Sequence, residues 1–251
     1  MMDFTLKKPM HLVALLGIIG SLALFIGYPL LSIFFSTEIP PVYTPTMTPL
    51  QRMTIEVTLL LTQFLFVFAG FIVVPLLWYK FVNNLSLKEM FHRLQLKREG
   101  LSDALLWGFI TVIIAFAITM AIGLLYMYIT KIDPSKFSNI PDLQALFTIP
   151  SLYLLVTLQP FCEEFFFRGF LFEKITKKGG PIIAIISTSL LFGISHLSYT
   201  YAYAAIIAVI LGILFSVVVV KTKNLYSAIF AHTLINVASL TLYFFGQSFW
   251  M

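Results

Sequence analysis

The chain has 251 residues, of which 59% are hydrophobic and 11% charged, with 26 Phe. Soluble domains are roughly half apolar and a quarter charged, so this composition excludes an ordinary soluble fold and indicates a chain that lives in a bilayer. The net charge of +5 does not point to nucleic acid, because the basic residues are sorted between loops as membrane proteins sort them; the single cysteine excludes an intrachain disulfide.

Crossing about 30 Å of hydrocarbon as helix takes about 20 apolar residues, and runs of that order recur along the sequence. They are predicted as helices over approximately 10–35, 53–79, 103–130, 150–172, 181–198, 202–220 and 225–248. The first follows Lys7 and Lys8 and is too long for the 7–15-residue apolar region of a signal peptide, so it is read as a span. Pro40, Pro41, Pro45 and Pro49 fill the first join, and Gly179, Gly180 and Pro181 form a stop and restart between the fourth and fifth runs. No join is long enough for a soluble domain, and no internal repeat or glycine-rich phosphate loop is present. The expectation is an all-α, polytopic helical bundle of seven spans, or eight if one run is divided. Residues 1–251 form a single integral membrane domain.

A cytoplasmic N-terminus collects Lys7, Lys8, Lys80, Lys88, Arg93, Lys97, Arg98, Lys174, Lys177, Lys178, Lys221 and Lys223 on the inner side and leaves Arg52, Lys131 and Lys136 outside. That asymmetry obeys the positive-inside rule and, with seven spans, puts the C-terminus outside. Between the second and third runs, NNLSLKEMFHRLQLKREG carries Leu87, Met90, Phe91 and Leu94 at helical spacing among basic residues. It reads either as an amphipathic helix on an anionic lipid surface or as a solvated connector.

An ionised side chain at the centre of a span costs roughly 2.5–3.5 kcal/mol on insertion scales, so such residues are functional candidates. In the first three runs only Glu56 qualifies, and it lies close to an end. The last four hold Glu163, Glu164, Arg168, His196, His232 and Asn236. Glu164 and Arg168 are four apart with the acid first, the arrangement that pairs best on one helix face. Glu163 is rotated by about 100° from its neighbour and is expected to lack that partner and to suit a general base. His232 and Asn236 share a face and can both donate hydrogen bonds. Phe192 and His196 repeat the spacing, with the ring packed below the imidazole. Each has a bland reading too: a buried histidine on a backbone carbonyl, a structural ion pair, an asparagine bonding between helices. Their concentration on neighbouring helices favours a site among the last four spans. Counted along the helices from the basic residues, the site lies within reach of the inner side, His196 being the deepest at about 22 Å.

EExxxR at 163–168, FxxxH at 192–196 and HxxxN at 232–236, in that order, resemble the three motifs of the CAAX protease and bacteriocin-processing family of intramembrane endopeptidases. The likeness covers residues 150–240, a catalytic helical core. It implies that Glu163 activates water, His196 helps position it, His232 and Asn236 form an oxyanion hole, and Glu164, Arg168 and Phe192 support the site. It also implies a peptide or lipid-modified protein as substrate, membrane lipids as surroundings, and neither metal nor cofactor. Rival readings are a cysteine protease using Cys162, a metal-dependent membrane protease, for which the HExxH signature is absent, a proton-coupled carrier, and a non-catalytic scaffold or immunity protein.

Overall fold

The computed structural model of the chain describes residues 4–32, 34, 42, 46–131, 140–197 and 202–250. Among them are eight helices and no strand: α1 (Pro9–Leu31), α2 (Pro49–Val82), α3 (Leu87–Arg93), α4 (Leu101–Thr130), α5 (Ile140–Gln144), α6 (Ile149–Ser195), α7 (Ala202–Thr222) and α8 (Tyr226–Trp250). All but α3 and α5 are long and apolar enough to cross a membrane, and their outward faces expose Leu61, Leu65, Leu124 and Ile129. The chain is an integral, multi-pass membrane protein.

The seven predicted runs form six long helices because the fourth and fifth are joined. Helix α6 spans 47 residues and is kinked at Gly180, whose φ of 80° and ψ of 172° break the helix. That conformation is open essentially to glycine alone, so the Gly-Gly-Pro signal marks a hinge between two helical arms, 149–179 and 181–195.

Close approach builds the bundle. Helix α7 lies along the second arm of α6, and α8 packs on both α4 and the first arm. At Gly193 an added Cβ would fall 2.2 Å from Val209 Cγ2 and 2.9 Å from the Ala205 carbonyl, so only glycine admits α7 there. One apolar core joins Phe71 and Tyr79 of α2 to Phe165, Phe166, Phe167 and Phe170 of α6, with Phe71 and Phe166 stacked at 4.7 Å. Offset and edge-on aromatic pairs of this kind contribute about 0.5–1.5 kcal/mol each beyond area burial. A second core joins Val112 and Ala115 of α4 to Phe215 and Val218 of α7 and Ala228 and Ala231 of α8.

The connector between α2 and α4 belongs to neither sequence reading entirely. Its helix starts at a capping box, with Ser86 N–H donating to Glu89 at 2.8 Å and Glu89 N–H to Ser86 Oγ at 3.4 Å. The Ser86 donors hold the Glu89 carboxyl below its usual range. Met90 and Leu94 are buried in the aromatic core, whereas Leu87 and Phe91 face outward. The apolar stripe is therefore split between protein and surroundings.

The two ends of the bundle differ. At one, Lys174 donates to Asn83 at 2.8 Å, Leu225 N–H to the Gln95 carbonyl at 3.0 Å, and Asn224 to the Lys97 carbonyl at 3.1 Å. Glu173 binds Arg93, Lys174 and Lys177 there, and Phe4 stacks on Trp78 at 5.6 Å. At the other, Glu56 accepts from both Thr148 N–H and Thr148 Oγ1 at 2.7 Å, which ties α2 to the start of α6 and gives Glu56 a structural partner. The cationic joins thus all gather at the first end.

Candidate active site

Gly169 sets the floor of the site. A Cβ there would lie 2.7 Å from Leu94 Cδ2 and 3.4 Å from Leu225 Cδ2, so α6, the connector and α8 meet at this level. Glu163 is six residues up α6 from Gly169 and His232 seven up α8 from Leu225, about 9 and 10 Å at 1.5 Å per residue. The two side chains therefore face each other at one height.

Glu164 is wholly buried and its Oε1 takes two donors: Arg168 Nη1 at 3.0 Å and His232 Nδ1 at 2.8 Å. The predicted Glu164–Arg168 pair is present, but it is one half of a triad. Because the Oε1 atom already accepts from a guanidinium, it accepts from the imidazole as well, which places a proton on Nδ1. His232 Nε2 is then turned to Glu163 Oε2 at 3.8 Å, an ion-pair distance rather than a hydrogen bond. Arg168, 2% exposed, lies 4.3 Å above the Phe192 ring and within 5.8 Å of Phe167 and Phe215, a cage that supplies cation–π attraction where water is excluded. It sits in a π-helical stretch, Phe165–Leu171, a wide turn of the sort that recurs at functional positions. His232 stacks on Phe215 at 4.9 Å and meets the Phe192 edge at 5.6 Å. Phe192 thus touches Arg168 and both histidines, its centroid 4.5 Å from that of His196.

Glu163 does not pair with Arg168, as helix geometry implies, but it has another partner that the spacing did not show. Gln159, one turn earlier on α6, donates Nε2–H to Glu163 Oε1 at 2.6 Å. Gln63 on α2 donates in turn to Gln159 Oε1 at 3.2 Å. The amide must face the carboxylate with its NH2, so its oxygen is left for Gln63, and the two bonds fix each other's direction. Sequence reasoning passed over both glutamines because uncharged amides in a span carry no insertion penalty large enough to stand out. Gln63 also brings α2, one of the first three long helices, to the cavity beside the last four.

His196 ends the second arm of α6, at its C-cap. Its Nδ1 lies 2.8 Å from the Phe192 carbonyl oxygen; a carbonyl only accepts, so Nδ1–H donates and Nε2 is left as an acceptor. The side chain of Asn236, one turn beyond His232, hydrogen-bonds to no side chain of the described residues. Glu163, His196, His232 and Asn236 all line one cavity of about 850 Å³, with Gln63 and Gln159. Cys162 does not line it. Among the described residues no three His, Cys, Asp or Glu side chains converge as metal ligands.

The cavity runs from Glu163 and His232 to Val42, Ile140, Leu143 and Phe147, at the end of the bundle opposite the cationic joins.

A model of the family described as Rce1-like, type II CAAX prenyl endopeptidase, matches residues 145–238. That segment contains every residue of the three motifs and Gln159; Gln63 falls outside it. The likeness to this family is confined to the helical core, residues 145–238. The chain is also similar, at 27% identity over 143 residues, to the "Putative membrane peptidase YdiL" of Bacillus subtilis (strain 168). That likeness covers 56% of this chain and 57% of the other, so it spans little more than half of each. No solved structure matches the chain.

Proposed function

We propose that the protein is an intramembrane endopeptidase that hydrolyses peptide bonds by direct attack of water. The observation that carries this is that Glu163, His196, His232 and Asn236 line one cavity, with Glu163 held by Gln159 and facing His232. Glu163 takes a proton from water, the water oxygen adds to the peptide carbonyl, the C–N bond breaks, and the proton passes to the leaving amine. His196 Nε2 accepts a hydrogen bond from the same water. Asn236 donates its NH2 to the carbonyl oxygen as charge develops there.

Glu164, Arg168 and His232 serve this as a buried electrostatic frame. Two carboxylates and one guanidinium sum to a single negative charge, which is costly out of water. His232, held through Nδ1 by Glu164, presents Nε2 to the cavity 3.8 Å from Glu163 Oε2, and as imidazolium it donates from that nitrogen to the carbonyl oxygen during reaction. A positioned general base supplies typically 10²–10⁴ in rate, and one oxyanion donor on the order of 10²–10³.

The described cavity lining contains no Lys or Arg. A carboxypeptidase needs a cation for the terminal carboxylate, so cleavage within a chain is favoured. The family's description supports membrane-tethered CAAX-type proteins, prenylated or not, or small peptides as substrates. Incubation of the purified protein with a prenylated CAAX peptide and with an unprenylated leader peptide, followed by mass spectrometry, tests the reading. Cleavage of either supports it, and recovery of both intact contradicts it.

A further inference from the structure

The residues of α3 and the Leu94 that caps it fall into pairs four apart, and at about 100° per residue the pairs face in four directions. Met90 and Leu94 pack into the aromatic core of α2 and α6. Round the helix from them come Leu87 with Phe91, then Lys88 with His92, and last Glu89 with Arg93. Contacts made by two of the flanks orient the others. Leu94 meets α6 at Gly169, whereas Arg93 reaches Glu173 at 3.5 Å, which lies four residues, about 6 Å, further toward the cationic end. The flank of Arg93 therefore points out of the bundle end. The opposite flank, Leu87 and Phe91, points back toward the level of the spans.

That flank is uncovered, with Leu87 64% and Phe91 43% exposed. Helix α3 lies between α2 and α4, both long and apolar enough to cross a membrane, so it sits where the chain leaves and re-enters the bilayer. Trp78 and Tyr79 stand near the end of α2, and Trp107 near the start of α4, with Lys221 Nζ 3.8 Å from its ring centroid. Aromatic residues at this position mark the membrane–water interface. At that level Leu87 and Phe91 face acyl chains, and Lys88, next round the helix, faces headgroups.

The charge of this end selects the headgroup. Residues 80–100 and 173–178 hold eight Lys and Arg against Glu89, Glu99 and Glu173, a surplus of five positive charges that equals the net charge of the whole chain. Glu173 is already taken by Arg93, Lys174 and Lys177, and Glu89 by Ser86. Lys80, Lys88, Arg98 and Lys178 are exposed. A zwitterionic headgroup brings no net charge to balance them, whereas an anionic one does.

We propose that α3 is an interfacial anchor for anionic phospholipids, with Leu87 and Phe91 among the acyl chains and Lys80 and Lys88 on the headgroup phosphates. Through Leu94 on Gly169 the anchor braces the floor of the site. The proposal is independent of the peptidase reading.

Two experiments on the full chain test it. In detergent, phosphatidylglycerol and phosphatidylcholine are titrated onto the protein and the bound lipids counted by native mass spectrometry. Each lysine near an anionic surface is worth about fivefold in affinity, so Lys80→Gln/Lys88→Gln should weaken phosphatidylglycerol by about tenfold or more and leave phosphatidylcholine unchanged. Arg52→Gln/Lys131→Gln, at the opposite end, should bind both lipids like the parent. Equal weakening by the two pairs overturns the proposed location. Tighter binding of glycerol 3-phosphate or of soluble poly-glutamate than of phosphatidylglycerol would assign the surface to a free phosphate or an acidic protein and overturn the lipid. Separately, in a Cys162→Ala background, nitroxides attached at Leu87→Cys, Phe91→Cys and His92→Cys are compared in vesicles of phosphatidylcholine and phosphatidylglycerol. The first two should collide more often with oxygen, which concentrates among acyl chains, and the third with a water-soluble nickel chelate. Readier nickel access at the first two than at the third overturns the insertion of the apolar flank.

Discussion

His232 Nδ1 and Glu164 Oε1 lie 2.8 Å apart across 68 residues of sequence, and this contact joins the last helix to the motif helix at the base of the site. Glu164 is the common acceptor for His232 and for Arg168, so its removal leaves two buried donors without an acceptor. Glu164→Ala should destabilise the protein by about 3–5 kcal/mol, the usual effect of stripping one partner from a buried ion pair. Glu163→Gln keeps an amide where the carboxylate accepted from Gln159 and should shift stability by less than about 1 kcal/mol, within the range of mild substitutions. Unfolding transitions of the two variants in detergent check the contrast; equal losses would show that the two glutamates do not divide their roles.

Gln159 is a positioning residue for Glu163, at 2.6 Å. Gln159→Leu should lower kcat by about 10–10²-fold, as loss of alignment by a fraction of an ångström to 1 Å does, with KM little changed and the pH profile displaced. A rise in KM with kcat and pH profile intact would instead mark Gln159 as part of the cavity wall.

The guanidinium of Arg168 depends on a glycine of α7. A Cβ on Gly212 would lie 2.9 Å from Arg168 Nη2 and 3.0 Å from Ser189 Cα and Cβ, neither of which can retreat within the helix contact. Gly212→Ala should cost about 1–3 kcal/mol through overpacking and reduce cleavage by tilting the triad. Gly246→Ala, with nothing within 4 Å of the added carbon, is the matched control and should unfold like the parent.

Cys162 is buried and absent from the cavity lining, so Cys162→Ala should cleave at the parent rate. Cleavage reduced by a hundredfold or more would restore the thiol mechanism. Incubation with a chelator should likewise leave the rate unchanged, measured on the same peptide; inactivation that added zinc reverses would establish a metal-dependent protease instead.

Much of the frame was legible in the sequence. Each apolar run of about 20 residues became helix, because a bilayer leaves the backbone few other ways to satisfy its hydrogen bonds. The i,i+4 spacing foretold the Glu164–Arg168 pair and the packing of Phe192 under His196. Helix phase alone gives direction about a single axis, and this is where the reading ran out. It turned Glu163 away from Arg168 correctly but could not show Gln159 beneath it or Gln63 arriving from α2. It made His232 a donor without saying from which nitrogen, and Glu164 takes up Nδ1. Gly180 was read as a boundary, and its φ of 80° does break α6 into two arms there. The cavity is lined from α2, α6, α7 and α8 together, and no spacing within a single helix records how they meet.

The central claim, that Glu163 activates the attacking water, is tested most directly by comparing purified parent, Glu163→Gln and Cys162→Ala proteins on one cleavable peptide by mass spectrometry. The account predicts the same product at the same rate from parent and Cys162→Ala, and a loss of at least about 10² in rate for Glu163→Gln with its unfolding transition unchanged. Cleavage by folded Glu163→Gln at the parent rate would contradict it.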